Sequence, residues 1–100
     1  MVKLIKDEAL AKRFESLEFN WEHVENSLVI RIEVKDFAEA MWVVNEVAQV
    51  AEELNHHPDI HLYNYNKIDI TTSTHSANGI TEKDFSLAER IEGIITRIKN

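Results

Sequence analysis

The sequence predicts an α+β fold, in which a four-stranded antiparallel sheet carries three helices packed on one face in the order α-β-β-α-β-β-α. Three segments, near the start, in the middle and at the end of the chain, have apolar residues that recur every three or four positions. This spacing is typical of amphipathic helices. Two regions of alternating apolar and polar residues lie between them, which is typical of strands with one buried face. Four short antiparallel strands under three helices would bury every apolar stripe at once.

The first predicted helix covers residues 7–17. Its apolar side chains Leu10, Phe14 and Leu17 recur at intervals of four and three, so they share one face of a 3.6-residue repeat. Asp7 stands where an N-cap side chain accepts hydrogen bonds from the free backbone N–H groups of the first turn. We therefore expect a short packing helix capped by Asp7.

A hairpin is predicted next. Residues 19–23 alternate apolar and polar side chains, and after Glu25-Asn26 the alternation resumes over residues 27–35. Two segments of period two, separated by a turn-forming asparagine, are typical of an antiparallel strand pair with one buried face.

The central helix is predicted to begin at Asp36, since Asp36 and Glu39 have the spacing of a capping box. Its main apolar stripe is expected to face the core and consists of Phe37, Ala40, Met41, Val44, Val47, Ala48, Ala51 and Leu54. Trp42, Val43 and Val50 lie off this stripe, which predicts a second covered side. A partner subunit would provide that cover, so we expect a homodimer or homotetramer.

The central helix is expected to end near Asn55. Pro58 lacks a backbone N–H and disfavours a helical conformation in the residue before it. His56 and His57 therefore lie at or just beyond a helix C-terminus. Where a helix ends in this way, the side chains of two adjacent residues point in different directions. We therefore expect one imidazole to pack against the protein and the other to face a cleft.

The remainder of the chain predicts a second strand pair and a final helix. Residues 60–74 read as two extended segments joined by a turn at residues 64–67. Gly79 follows in a loop, where glycine is suited to a positive φ angle. Thr81 is the predicted N-cap of the last helix, whose apolar side chains again share one face.

The composition is that of a single globular domain. One hundred residues suffice for one continuous core, and 44% apolar with 29% charged residues is ordinary. We therefore interpret residues 1–100 as one domain. The chain carries 18 acidic against 11 basic residues, a formal charge of −7, which argues against direct nucleic-acid binding because such binding depends on a basic surface.

Three further features of the sequence bear on its location. The chain contains no cysteine, which fits a reducing compartment. Charged residues interrupt the N-terminus too early for a signal peptide, and no apolar run approaches the ~20 residues that span a bilayer. We expect a cytoplasmic protein without membrane contact.

A histidine cluster is the strongest functional feature. Four of the five histidines lie within twenty positions of one another: His56, His57, His61 and His75. An unperturbed pKa of roughly 6.5 lets histidine give and take a proton near neutral pH. The residues alone leave three interpretations open, namely structural histidines, a metal site and metal-free acid/base catalysis. The break at Pro58 removes the i, i+4 spacing of a helical zinc motif, which disfavours the metal site.

Three segments around these histidines carry a resemblance: Asn55-His56-His57-Pro58, Ser73-Thr74-His75 and Gly79-Ile80-Thr81-Glu82-x-Asp84. Together they are similar to the pattern of the pterin-4a-carbinolamine dehydratase family, and the order of helices and strands extends the similarity over most of the chain. The resemblance implies removal of water from 4a-hydroxytetrahydropterin to give quinonoid dihydropterin, a step in tetrahydropterin recycling. It implies a pterin substrate and neither a metal nor a cofactor, because the pterin carries the electrons that expel the hydroxyl group.

The resemblance also implies roles for individual residues. The active-site histidines are His56, His57 and His75, of which His56 and His75 form the acid/base pair while His57 holds substrate or shares the proton transfer. The positions implied to contact the pterin are Asn55, Ser73, Thr74 and Ser76. Glu52 lies one helical turn before His56, and we expect it to reach the same pocket and bind substrate if the helix continues that far. Asp84 has two interpretations, orientation of a neighbouring imidazole and compensation of helix N-terminal charge. His61 has no counterpart in the pattern and is interpreted as a loop residue.

The alternative function is a non-catalytic protein-interaction or assembly factor on the same fold, a role that the resemblance also includes. In such a protein the histidines would be free to vary. The complete set of three histidines in this chain therefore favours the enzyme.

Overall fold

The structure is a computed structural model that describes residues 3–99. Its elements are α1 Asp7–Glu15, β1 Glu22–Val24, β2 Ser27–Glu33, α2 Phe37–Leu54, β3 Asp59–Tyr63, β4 Lys67–Thr72 and α3 Glu82–Lys99, with one 3₁₀ turn at His75–Ala77. The predicted order of helices and strands is confirmed. Among residues 3–99, no helix combines the length and the apolar character needed to cross a membrane.

All four strands pair antiparallel in one sheet, in the order β1-β2-β4-β3. The register of the central pair aligns Ile30 with Ile70 and Leu28 with Thr72. These side chains are buried on the face that the helices cover. Thr72 therefore places a hydroxyl group at the end of an otherwise aliphatic row of buried side chains. Because it is buried, this hydroxyl needs a hydrogen-bond partner within the protein.

The buried face of α2 differs from the predicted stripe. Its buried residues are Ala40, Val43, Val47, Val50 and Ala51. Phe37 and Met41, expected in the core, are 52% and 39% exposed, whereas Val43 and Val50, expected off the stripe, are buried. Apolar residues nearly surround this helix, so periodicity alone cannot choose which side packs against α3 and the sheet.

Contacts with α3 hold α1 in place. The Arg13 side chain hydrogen-bonds Glu82 and, at 3.1 Å, Glu89, and its guanidinium lies 4.8 Å from the centre of the Phe85 ring. The hydrogen bond with Glu82 raises the pKa of Arg13 above its usual value. The helix starts at Asp7 as expected, but Lys6 is the N-cap and no side-chain cap bond forms, so the prediction of an Asp7 cap is wrong.

A buried carboxylate anchors the segment between α1 and β1. Glu92 of α3 is 7% exposed, and its Oε2 accepts hydrogen bonds from the backbone N–H groups of Glu18 and Phe19 and from Trp21 Nε1, at 2.8, 2.9 and 3.0 Å. These three donors come from a stretch without regular structure, which has no strand or helix partner of its own. Glu92 therefore fixes the path of the chain into β1.

Candidate active site

The C-terminus of α2 turns His56 towards the core and leaves His57 at the surface. Asn55 ends the helix in the left-handed region at φ 51°, a conformation that asparagine tolerates better than most residues. The backbone N–H of His56 then bonds the Ala51 carbonyl at 3.0 Å. His56 is buried and His57 is exposed, so the two imidazoles point in different directions as the break at Pro58 predicts.

The loop after β4 presents His75 and Ser76 at the surface. Thr74 pairs with Gly79 through two backbone hydrogen bonds, at 2.8 and 3.3 Å. The 3₁₀ turn lies between the members of this pair, and its His75 and Ser76 side chains are both exposed. Ser73, at the end of β4, is half-buried.

Asn78 closes this loop in the left-handed region, at φ 56°. Gly79 does not have a positive φ, so the prediction of that conformation is wrong. A Cβ at Gly79 would lie 2.5 Å from Leu4 Cδ1, so a larger residue would require the partly exposed Leu4 side chain to shift.

Asp84 joins the start of α3 to the end of α2. Its Oδ2 accepts the backbone N–H of Thr81 at 2.9 Å, while the Thr81 hydroxyl accepts the N–H of Lys83 at 3.2 Å. This arrangement is a capping box with aspartate in the third position. The other carboxylate oxygen, Oδ1, lies 2.7 Å from Nε2 of His56. Asp84, which is fully buried, therefore both caps a helix and contacts an imidazole.

Two imidazole–carboxylate pairs thus lie at the C-terminus of α2, in contrasting surroundings. The side chains of His56 and Asp84 are 10% and 0% exposed, and water is nearly excluded from their contact. The second pair joins His57 Nε2 to Glu52 Oε2 at 2.5 Å, with side chains 59% and 75% exposed. A fixed, dry carboxylate orients an imidazole far more strictly than an exposed one, which solvent screens.

The predicted site residues form two hydrogen-bonded groups and a set of isolated positions. His56, Asp84 and Thr74 belong to one network, and His57 and Glu52 form the separate pair. Within residues 3–99, no side-chain hydrogen bond links His75, Asn55, Ser73 or Ser76 to either group. His75 directly follows Thr74, so the loop brings its backbone to the buried network. No group of three or more histidine, aspartate or glutamate side chains is arranged to hold a metal ion within the same described range.

Sequence reasoning missed two members of the buried network. Thr72 donates its hydroxyl to Asp84 Oδ1 at 2.6 Å, and the Thr81 hydroxyl lies 2.7 Å from that of Thr74. Thr81 was identified only as a helix cap. For Thr72 a signal was present, because strand periodicity places it on the same face as Ile68 and Ile70, where a polar residue needs a buried partner.

His61 and His23 lie apart from these groups. His61 is in β3 rather than in a loop, and it stacks on Tyr63 with ring centres 4.8 Å apart. The Tyr63 hydroxyl donates to Asp69 at 3.2 Å, and partial burial together with this carboxylate raises the pKa of Tyr63. His23 is exposed on β1.

Comparison with known proteins gives a consistent result. The family model described as pterin 4 alpha carbinolamine dehydratase matches residues 3–94. A protein of Sulfolobus acidocaldarius is 38% identical over 93 residues, covering 93% of this chain and 99% of its own length. One of Aquifex aeolicus is 33% identical over 98 residues, with 98% and 97% covered. The names of both relatives assign them provisionally to pterin-4-alpha-carbinolamine dehydratase.

Two solved structures have the same fold as this chain. A transcriptional coactivator/pterin dehydratase from Brucella melitensis superposes with a TM-score of 0.86 at 30% identity, covering 92% of this chain and 98% of its own. A pterin dehydratase-like RuBisCO assembly factor of the alpha-carboxysome shares the fold, with a TM-score of 0.61 at 18% identity, covering 78% and 89%.

Fold and site together define a small α+β protein with a buried imidazole–carboxylate pair where a helix end meets a sheet. The chain belongs to the pterin-4a-carbinolamine dehydratase family.

Proposed function

We propose that this protein removes water from 4a-hydroxytetrahydropterin to give quinonoid dihydropterin, by histidine general acid/base catalysis. The N5–H proton is lost, the C4a–O bond breaks as the hydroxyl leaves as water, and the C4a=N5 double bond forms. The reaction needs one group that accepts a proton and one that donates a proton near neutral pH, and imidazoles suit both tasks. In a cell with an aromatic amino-acid hydroxylase, this step returns the spent cofactor towards tetrahydropterin.

The observation that carries the proposal is the contact between His56 and Asp84, in a chain of this family. A buried carboxylate that holds one imidazole nitrogen leaves the other for proton exchange and stabilises the imidazolium that forms. His56 and His75 are the proposed acid/base pair. His57, held by Glu52 at the surface, is proposed to bind substrate or share the proton work.

Surface positions around the two histidine-bearing segments are proposed to contact the pterin. The exposed ones are Asn55, Ser76 and Glu52, and Ser73 is half-buried. Amide, hydroxyl and carboxylate groups of this kind match the donors and acceptors on the edge of a pterin ring. The proposed chemistry requires neither a metal nor a further cofactor, because the electrons that expel the hydroxyl group come from the pterin itself.

The proposal is tested by following the absorbance of freshly generated 4a-hydroxytetrahydropterin with wild type, His56→Ala and His75→Ala. We expect wild type to accelerate dehydration and each variant to lose on the order of 10²-fold or more in kcat. His23→Ala, which removes an exposed histidine on β1, is the matched control and should retain activity. A folded wild type that does not exceed the spontaneous rate would contradict the proposal and favour the non-catalytic interaction factor.

A homodimer or homotetramer is proposed as the assembled form. Phe37, Met41 and Trp42 are 52%, 39% and 37% exposed on the first two turns of α2. Three large apolar side chains on neighbouring positions of one helix are a surface that association would bury. Of the residues from which a partner subunit was predicted, Val43 and Val50 no longer contribute, since the protein's own core buries them.

A further inference from the structure

The Asp84 carboxylate is surrounded by three hydrogen-bond donors and one imidazole nitrogen. Oδ1 accepts from Thr72 Oγ1 at 2.6 Å and contacts His56 Nε2 at 2.7 Å. Oδ2 accepts from Thr74 Oγ1 at 2.8 Å and from the backbone N–H of Thr81 at 2.9 Å. Each oxygen therefore has two partners, which saturates its lone pairs. An ionised aspartate, which only accepts, fits this cage.

The direction of each proton along the hydroxyl chain follows. The Lys83 N–H donates to Thr81 Oγ1, and the Thr81 hydroxyl contacts that of Thr74 at 2.7 Å. Each hydroxyl has a single proton. With Asp84 ionised, Thr74 must donate to Oδ2, so Thr81 must donate to Thr74. The single proton of the Thr74 hydroxyl is therefore committed to Asp84, the residue is only 4% exposed, and its backbone N–H and carbonyl are bonded to Gly79.

The same argument assigns the tautomer of His56. A saturated carboxylate offers no proton, so Nε2 of His56 carries the hydrogen and donates it to Oδ1. Within residues 3–99, Nδ1 of His56 has no hydrogen-bond partner, and no buried polar side-chain atom is left unsatisfied. Nδ1 is therefore not completely buried, within a side chain that is 10% exposed. It is the ring nitrogen that residues 3–99 leave without a protein partner, available to a bound molecule.

We propose that Thr72 and Thr74 are positioning residues, whose hydroxyls lock Asp84 so that His56 is held as the Nε2–H tautomer with Nδ1 free to accept a proton. This inference rests on the proposed function and refines it in two ways. It gives Thr74 a role through Asp84 in place of direct contact with the pterin. It also makes His56 the base of the acid/base pair.

The proton balance is simple. Nδ1 of His56 takes the proton from N5 of the pterin, and a second imidazole, His75 in the proposed pair, gives a proton to the departing hydroxyl, which leaves as water. His56 becomes an imidazolium with both nitrogens protonated, and its charge lies 2.7 Å from the Asp84 carboxylate. Both imidazoles return to their starting states by exchange with solvent.

The test uses Thr72→Val and Thr74→Val, which keep the shape of the side chain and remove its hydroxyl. Thr72→Ser and Thr74→Ser restore the hydroxyl. Thr71→Val is the matched control, since Thr71 neighbours Thr72 on β4 but lies on the opposite face of the sheet. In full-length protein, ¹⁵N shifts of the ring nitrogens report the tautomer of His56, and the ¹H resonance of its Nε2–H reports the bond to Asp84.

We expect wild type to show neutral His56 protonated at Nε2, with a slowly exchanging downfield Nε2–H proton. In each valine variant that proton should exchange faster and move upfield, and kcat should fall about tenfold with KM little changed, the size expected for one lost bond to a charged group. The serine variants should recover both properties, and Thr71→Val should alter neither. A role in stability alone would lower the melting temperature without moving the proton resonance or requiring a hydroxyl.

Two results would overturn the inference: wild-type His56 protonated at Nδ1 in its neutral form, or valine variants whose Nε2–H resonance matches wild type. Both readouts are independent of turnover. A wild type without dehydratase activity but with the expected resonances would therefore remove the proposed function and leave the positioning of His56 established.

Discussion

Asp84 is the residue on which the requirements of folding and of the site coincide. One oxygen completes the capping box of α3 and the other holds His56. The sequence indicated orientation of an imidazole and compensation of helix N-terminal charge as alternative roles for Asp84, and it did not identify the capping box with Thr81. That one carboxylate both caps α3 and holds His56 depends on where α2 ends relative to α3, which no local pattern contains.

Asp84→Asn is expected to reverse the tautomer of His56. The Thr81 N–H can only donate, so the new amide must turn its oxygen towards Thr81 and its NH₂ group towards His56. Nε2 must then accept, and the proton moves to Nδ1, where it blocks proton uptake. We expect kcat to fall on the order of 10³-fold or more, the scale seen when an imidazole is held in the wrong tautomer.

Ring ¹⁵N shifts of His56 and the dehydration assay measure these two effects. Asp59→Asn, which neutralises an exposed aspartate at the start of β3, is the control and should change neither. An Asp84→Asn protein that keeps Nε2–H and wild-type kcat would contradict the assignment.

The pair between His57 and Glu52 is expected to contribute little to stability. Both side chains are more than half exposed, so solvent screens their attraction and ordering them costs side-chain entropy. Glu52→Gln should change the free energy of unfolding in urea by less than about 1 kcal/mol. Glu53 follows Glu52 on the same helix and has an exposed ion pair with Arg90, so Glu53→Gln is the matched comparison. A loss above about 2 kcal/mol, specific to Glu52, would mean that this pair is structural.

The elements show where periodicity succeeds and where it fails. Alternation located the second strand of the hairpin, β2, and it placed Ile68 and Ile70 on the buried face of β4. The first strand was predicted over residues 19–23 with one buried face, whereas β1 is Glu22–Val24 and is exposed throughout. In α2 the apolar residues extend around most of the helix circumference, so packing against α3 and the sheet determines which side faces the core. Val43 is therefore buried and Met41 is exposed, the reverse of the prediction. A local pattern cannot contain that information, because it belongs to the packing of elements distant in the chain.

Glu92 of α3 anchors the segment before β1, and we expect its removal to lower the free energy of unfolding. Glu92→Ala would leave three donors, the N–H groups of Glu18 and Phe19 and Trp21 Nε1, without their buried acceptor. A loss of about 3 kcal/mol in the free energy of unfolding is expected, since a buried group that loses a charged partner keeps its desolvation penalty. Urea titration measures the loss.

Glu89→Ala, one turn away on α3, removes an exposed carboxylate that contacts Arg13 and should cost less than about 1 kcal/mol. Equal losses in the two variants would show that burial of Glu92 confers no special stability.

At the scale of the whole molecule, the exposed start of α2 bears on assembly. Phe37 and Met41 lie one helical turn apart and are exposed, with Trp42 beside them under the guanidinium of Arg97, 5.0 Å from the ring centre. The sequence predicted an apolar side of this helix outside the core and placed Trp42 there correctly, but it placed Val43 and Val50 there wrongly. The sequence shows that α2 has more apolar residues than one core-facing side can hold. Only the packed structure shows which of these residues stay exposed to solvent.

If this surface joins subunits, a charge placed in it should separate them. We expect wild type to have a native mass that is a multiple of 11.6 kDa, and Met41→Glu to shift it towards the monomer, because burying an unpaired carboxylate costs several kcal/mol. Size-exclusion chromatography with light scattering measures the mass. Tyr65→Glu, which changes an aromatic residue that is 62% exposed in the turn between β3 and β4, is the control and should keep the wild-type mass. A wild type that elutes as an 11.6 kDa monomer would contradict the assembly.

The position of this surface also predicts the activity of the separated subunits. Met41 and the last residue of α2, Leu54, are 13 positions apart, and at a rise of 1.5 Å per residue this places the apolar surface roughly 20 Å from the helix end that carries His56. The four hydrogen-bond partners of the Asp84 carboxylate all belong to the same chain as Asp84. A Met41→Glu monomer should therefore keep kcat within about twofold of wild type. A monomer that folds but loses turnover would instead show that the partner subunit completes the site.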